Sequence, residues 1–290
     1  MRKLYHEESQ AGSPDENCTH DCSSCGASCP SRQGGRESFL EDPNQDSHVA
    51  KIIGVVSGKG GVGKSLVTSL LAVAGTKNGK ACGIMDADIT GPSIPRMFGM
   101  QGQAAATQTG LLPVISRTGI PMMSVNLILD NPEDPVVWRG PIIAGVVKQF
   151  WTDVAWGDLD VLFVDMPPGT GDVPLTVFQS LPIDGIVVVA SPQDLVAMVV
   201  EKAVRMANMM DVPILGMVEN MSYLTCPDCG KKIPVFGESH LDRILEAHHI
   251  ANTLALPIMP EIASLCDGGH IEEVDEALLA KIHAFLEKMA

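Results

Sequence analysis

One stretch, GKGGVGKS at Gly58–Ser65, constrains this chain more than any other. It fits the pattern G-x-x-x-x-G-K-S/T and lies between a short apolar run, VAKIIGVVSG (49–58), and a helix-forming one, KSLVTSLLAVAGTKNGK (64–80). A glycine-rich turn that leads a strand into a helix presents backbone N–H groups at the positive end of the helix, where phosphate oxygens bind. Gly58, Gly60, Gly61, Val62 and Gly63 form the turn, and the nucleotide-binding run continues through Lys64, Ser65 and Leu66. In this pattern Lys64 reaches the β- and γ-phosphates and Ser65 offers its hydroxyl to Mg2+. A second lysine, Lys59, follows the first glycine. Holding phosphates within one subunit does not require it, so it points to nucleotide held by a neighbouring copy, as an arginine finger acts in trans. The plain alternative is a solvated loop lysine.

Further runs repeat the alternation. Strand-like segments occur at ACGIMDAD (81–88), LDVLFVDMPPG (159–169), GIVVVASP (185–192), VPILGMVEN (212–220) and NTLALPIMP (252–260), with a hairpin around RTG in 109–126. Helix-like segments occur at 140–154, 173–181, 194–210, 238–249 and 271–289. Strands alternating with helices predict an α/β fold, a P-loop NTPase with a mainly parallel sheet and helices on both faces. Its ligands belong at the C-terminal strand ends. Residues 1–48 lack hydrophobic periodicity and read as a flexible tail. Residues 49–290 read as one P-loop ATPase domain.

Acids stand at the predicted strand ends. Asp165 closes an apolar strand and is placed to hold Mg2+, directly or through water. The following PPGTG suits a loop whose backbone senses the γ-phosphate. Asp86 and Asp88 close the second strand; one can position the attacking water while the other supports the loop. Helix capping or solvation is the alternative for these acids and for Asp172.

Six of the eight cysteines fall in two clusters. Cys226 and Cys229 form a CPDC pair with no second CxxC downstream, whereas a tetrahedral metal or an iron–sulfur cluster takes four ligands. Two-fold symmetry would double the pair to four. A bridging cluster and a bridging zinc ion share that stoichiometry. In the tail, Cys18, Cys22, Cys25 and Cys29 precede Pro30, and the last three copy the C-x2-C-x3-C-P end of the bacterial ferredoxin run. They imply a second cluster or zinc. Cys82 reads as a core thiol, and Cys266 has no near partner.

KGGVGKS, DADITGPSIPRMFG, WRGP, DMPPGTGD, VENMS and the CPDC pair, in this order over roughly 50–290, resemble the Mrp/ApbC family of iron–sulfur carrier ATPases. That family belongs to the deviant Walker A group, with the MinD/ParA ATPases and the nitrogenase iron protein. The resemblance implies that Lys59 contacts nucleotide across a homodimer, that Asp88 activates water and that Asp165 is the Walker B acid. It implies that Asn220 contacts the adenine of ATP and that residues at Pro260 line its other side. It further implies a 4Fe–4S cluster bridged by Cys226 and Cys229 of two subunits and passed to apoprotein clients. The alternative is a MinD/ParA-like positioning ATPase with an intersubunit zinc clamp. A small-molecule kinase shares the phosphate loop but leaves Lys59 and the CPDC pair without a role.

Composition narrows the partners. A net charge of −15 argues against a broad nucleic-acid footprint or an anionic membrane surface, both of which need clustered Lys and Arg. The N-terminus carries no apolar secretory segment, and no run reaches the roughly 18 apolar residues of a membrane span. These features predict a cytoplasmic protein, in whose reducing environment clustered cysteines serve metal or redox chemistry.

Overall fold

The computed structural model describes residues 39–289, except 90, 130, 132–137, 139, 170, 193, 238, 240 and 241, and except the side chains of 140, 141, 172, 194–199, 242 and 243. Cys18, Cys22, Cys25 and Cys29 lie outside the described residues. The elements in chain order are β1 (Ser47–Val49), β2 (Ile52–Ser57), α1 (Lys64–Lys77), β3 (Cys82–Asp86), α2 (Ile94–Met97), β4 (Ala105–Ala106), β5 (Leu111–Leu112), β6 (Val114–Ile115) and β7 (Pro121–Met123). Then come α3 (Gly140–Thr152), β8 (Gly157–Leu159), β9 (Val161–Asp165), α4 (Asp172–Ser180), β10 (Gly185–Ala190), α5 (Asp194–Met209) and β11 (Ile214–Glu219). The chain closes with β12 (Leu224–Thr225), β13 (Lys232–Ile233), α6 (Asp242–Ala247), β14 (Thr253–Ala255), α7 (Pro260–Gly268) and α8 (Glu276–Glu287).

The main sheet runs β14-β11-β10-β2-β9-β3-β7-β6. Every pairing in it is parallel except the β6–β7 hairpin at one edge. The central strands are apolar up to their C-terminal residues because both faces are covered; Ser57, Asp86 and Asp165 close β2, β3 and β9. In β2, Ile52 and Val56 point to one layer, and Ile53 and Val55 to the other. The first layer includes Val147 and Phe150 of α3, Val177 and Phe178 of α4, and Val200 and Val204 of α5. The second includes Leu70, Leu71 and Val73 of α1 with Leu278, Ile282 and Phe285 of α8. Burying each such side chain contributes about 1.5–3 kcal/mol before chain entropy is counted.

The packed body begins upstream of residue 49. Asn44 and Ser47 are buried, and β1 pairs in parallel with β8. Asn44 Nδ2 donates to the carbonyl of Thr109 at 2.7 Å, and Ser47 Oγ donates to that of Val154 at 3.1 Å. Cys82 is buried in β3, and burial raises its thiol pKa to about 11, which marks it as an inert core thiol. Cys266 lies half-buried on α7. Two features differ from the sequence pattern. The run 260–268 is a helix of its own, and the 271–289 pattern divides into a 3-10 turn, Ile271–Glu273, followed by α8. Asp275 makes that break, its Oδ1 accepting from the Ala277 N–H at 2.7 Å as an N-cap.

Glu272 fastens this C-terminal segment to the β6–β7 turn. Its side chain is 2% exposed. One oxygen accepts from Ser116 Oγ at 2.6 Å and from Thr118 Oγ1 and N at 2.5 and 3.1 Å, while the other faces Arg117 Nε at 3.4 Å. Burial pushes this carboxyl's pKa up, but the donors from Ser116, Thr118 and Arg117 outweigh it and leave the pKa below its ordinary value. A carboxylate of lowered pKa stabilises the fold fully above its unfolded pKa of about 4.3, and that contribution fades as pH falls through the lower folded value. Glu272→Ala should cost roughly 1–3 kcal/mol at pH 7 by stranding these donors. In denaturant melts the gap from wild type should narrow below about pH 4; a gap independent of pH would contradict this account.

Candidate functional site

The phosphate loop follows β2 at the C-terminal edge of the sheet. Gly61 and Gly63 have φ of 81° and 83°, left-handed values that favour glycine. A side chain on Gly63 would also run into Asn220 Nδ2. Val62 is buried and pins the loop to the core. Helix α1 has no side-chain cap and no acid in its first turn, so its N-terminal N–H groups and dipole face an open loop. Lys59 sits half-buried in this loop, its carbonyl accepting from Ser57 Oγ at 3.0 Å.

Register explains the charge cluster beside the loop. Strands β3 and β9 are parallel neighbours, and Asp86 pairs with Asp165 across them. Their Cα atoms therefore stand about 5 Å apart, and both side chains are buried. Lys64 Nζ lies 2.7 Å from Asp165 Oδ1 and 3.7 Å from Asp88 Oδ2. Asp165 also receives Ser65 Oγ at 2.5 Å and Thr68 Oγ1 at 2.8 Å. Asp86 accepts from Ser124 Oγ at 3.1 Å and from the Asp88 N–H at 3.2 Å. Burial, and then the charge of Asp165, push the Asp86 pKa well above the usual carboxylate range, although Lys64 and Ser124 pull the other way.

The arrangement fits a magnesium nucleotide. Lys64 Nζ is buried and makes no aligned hydrogen bond with a described residue, despite its 2.7 Å ionic contact. Its ammonium protons remain for a phosphate. Ser65 Oγ and Asp165 already stand together, the oxygen donors suited to a hard divalent cation. Asp88, 13% exposed, is the most accessible carboxylate of the three.

Asn220 follows β11, two strands from β2. Its Nδ2 donates to the Val62 carbonyl at 3.0 Å, so this side chain grips the phosphate loop. Residues 256–260 leave the neighbouring β14 beside it, with the Leu256 N–H bonded to the Glu219 carbonyl at 2.9 Å. Pro260 opens α7 and is exposed. Thr68 and Ser124 are members of the cluster that motif reading missed. Each is a buried hydroxyl in an otherwise apolar stretch, and that is the only signal the sequence carries for them.

Beyond Asn220, β12 and β13 form a small hairpin that bears the cysteines. The Cys226 N–H bonds the Lys231 carbonyl, and the Gly230 N–H bonds the Cys226 carbonyl, both at 2.9 Å; Gly230 turns at φ 71°. This tight turn aims the N–H groups of Cys229 and Asp228, and the Cys229 thiol, at the Cys226 sulfur and holds its pKa below the ordinary thiol value. A lowered thiol pKa favours the thiolate, which is the form that ligates metal. Lys232 Nζ lies 4.3 Å from the centre of the Tyr223 ring at the hairpin base. Among the described residues no group of three or more His, Cys, Asp or Glu side chains is gathered for metal.

A family model described as ParA: NUBPL iron-transfer P-loop NTPase matches residues 48–290. The chain is 41% identical to the iron-sulfur cluster carrier protein of Clostridium perfringens over 266 residues, 87% of this chain and 93% of that one. It is 40% identical to the mouse iron-sulfur cluster transfer protein NUBPL over 216 residues, 74% of this chain and 66% of that one. Its fold is similar to a nucleotide-binding protein from Archaeoglobus fulgidus solved with ADP, at TM-score 0.71 and 45% identity, covering 78% of this chain and 89% of that one. Pyrococcus furiosus MinD shares the fold at TM-score 0.60 and 18% identity, over 83% of this chain and all of that one.

The raised Asp86 pKa sets a pH test. An acid whose folded pKa is raised destabilises the fold above that pKa and ceases to do so below its unfolded value, near 3.9. Asp86→Asn should therefore raise the melting temperature of nucleotide-free protein at pH 7. The expected gain is about 2–4 °C per kcal/mol relieved, shrinking toward pH 4. A lower melting temperature across the whole range would contradict the charge-repulsion account.

Proposed function

The chain belongs to the NUBPL-type, ParA-like family of iron-transfer P-loop NTPases, and from that premise we propose that it carries an iron–sulfur cluster to apoprotein clients, with ATP binding and hydrolysis setting when the cluster is held. The observation that carries the reading is a metal-ready thiol pair on the chain leaving β11, whose last neighbour, Asn220, grips the phosphate loop.

In this reading the N–H groups of Gly60–Leu66 and the Lys64 ammonium bind the triphosphate. Ser65 and Asp165 hold Mg2+, which when bound neutralises charge on the phosphate oxygens. Asp88 orients a water in line with the γ-phosphorus, the water oxygen bonds to it, and the bond to the β–γ bridging oxygen breaks. Lys59 reaches the nucleotide of a second copy and stabilises the charge that develops there. Asn220 and residues at Pro260 flank the adenine.

The second copy also completes the metal site. Two Cys226–Cys229 pairs supply the four thiolates that a 4Fe–4S cluster takes as cargo. The tail cysteines, Cys18, Cys22, Cys25 and Cys29, form a separate cluster or zinc site. The protein works in the cytoplasm as a homodimer, without nucleic acid or membrane. No described helix is long and apolar enough to cross a membrane. The apolar residues of α8 are buried against the body rather than presented to lipid, which favours the carrier over a positioning ATPase with a zinc clamp.

Anaerobic reconstitution tests this directly. The double variant Cys226→Ser, Cys229→Ser should lose the iron and acid-labile sulfide that a tail deletion retains. Equal iron in wild type and double variant would overturn the assignment, and zinc without sulfide would favour the clamp. Lys59→Ala should slow hydrolysis by roughly tenfold or more while ADP affinity stays within about threefold by calorimetry. Hydrolysis equal to wild type would contradict a role in trans.

A further inference from the structure

Strand β11 ends in two polar neighbours that face different parts of the molecule. Asn220 turns to the phosphate loop through its 3.0 Å bond to the Val62 carbonyl. Glu219 turns to the cysteine hairpin. Its Oε1 accepts from Ser239 Oγ at 2.5 Å. Its Oε2 accepts from Ser222 Oγ, which also approaches the Glu219 carbonyl at 3.2 Å. The segment between Ser222 and Ser239 contains the whole hairpin, including Cys226 and Cys229. A single carboxylate thus joins both roots of the metal-bearing segment to the strand end that grips the nucleotide loop.

Backbone bonds also fix the first of those roots. The Ser222 N–H bonds the Leu256 carbonyl at 2.9 Å, and the Ile258 N–H bonds the Tyr223 carbonyl at 2.7 Å. Residues 224 and 258 form a β-bridge. At the second root residues 234–237 and 239 are exposed and belong to no regular element. There the Glu219–Ser239 bond joins the hairpin's exit to the end of β11.

We propose that Glu219 is the positioning residue of the thiol pair: it holds both ends of the cysteine hairpin to the strand whose next residue clamps the phosphate loop, so that nucleotide state sets how tightly the pair retains its metal. This rests on the carrier reading above and deepens it by naming the connection between its two sites. Two hydroxyl donors meet two carboxylate oxygens, a match that Ala abolishes. Gln keeps it in part, because its one carbonyl oxygen and its amide can each still bond a hydroxyl. A movement of the Val62 carbonyl on phosphate binding shifts Asn220, and Glu219 moves with it.

The test compares wild type with Glu219→Ala, Glu219→Gln and Ser239→Ala as full-length anaerobic proteins. Two readouts are taken with ATP and with ADP: the rate of iron loss to a ferrous chelator from cluster-loaded protein, and the rate at which iodoacetamide alkylates Cys226 and Cys229 in metal-free protein. Oligomeric size is followed under the same conditions. Wild type should show an ATP-to-ADP ratio of about fivefold or more in both readouts, the usual scale of coupling between sites. In Glu219→Ala and Ser239→Ala the ratios should collapse to within about twofold of unity while nucleotide affinity, nucleotide-driven pairing and basal hydrolysis persist. Glu219→Gln should fall between. Wild-type ratios in the two Ala variants, a wild-type ratio near unity, or loss of pairing in the Ala variants would each overturn the proposal. If wild type takes up no iron and sulfide, yet its alkylation ratio depends on Glu219, the carrier reading falls and the link stands.

Discussion

The pairing of Asp86 with Asp165 across two parallel strands is the constraint on which the site depends. Register alone brings two buried carboxylates side by side, with Asp88 close behind and Lys64 as the cation set among them. Such a cluster is poorly solvated and carries more negative than positive charge, so it weakens the fold that builds it. The imbalance is what equips the site for work. In the function proposed above, a divalent cation satisfies the carboxylates, and a triphosphate draws Lys64 away from Asp165 without leaving that acid bare. The hydroxyls of Ser65, Thr68 and Ser124 hold the acids in place meanwhile. They fix the geometry without adding a positive charge that would satisfy the cluster permanently.

Much of this was legible in the sequence because the same physics writes both. A strand covered on two faces must be apolar where it is covered, and the runs at 52–56, 161–164 and 185–190 are. A loop that approaches phosphate must be glycine-rich, and Gly61 and Gly63 adopt the left-handed turns that require it. What stayed hidden depends on contacts distant in sequence. Helix α7 begins with a proline and buries little beyond Ile262, so its pattern is faint. Asn44 gains its meaning only against carbonyls 65 and 109 residues away. The break between residues 273 and 276 was carried by Asp275, a capping residue that the continuous apolar stripe masked. Thr68 and Ser124 belong to no motif, and their part in the site comes from the strands that place Asp165 and Asp86 beside them.

The cysteine hairpin shows a different limit. Its spacing declared metal chemistry at once, yet spacing cannot say what the pair is attached to. The fold answers that. The hairpin springs from the end of β11, and the two residues there divide the labour, Asn220 toward the phosphate loop and Glu219 toward the hairpin roots. Two sites that sequence reading treats as separate motifs are therefore built on consecutive residues at the end of one strand. The proposed carrier cycle uses that closeness, holding cargo under one nucleotide state and surrendering it under another.

The account turns on an incomplete ligand set that a second subunit completes. Native mass spectrometry of the tail-deleted protein, loaded anaerobically with iron and sulfide in the presence of nucleotide, measures this directly. It should record two chains sharing one four-iron, four-sulfide cluster, with the single-chain species free of iron. A single chain that retains a complete cluster would contradict it.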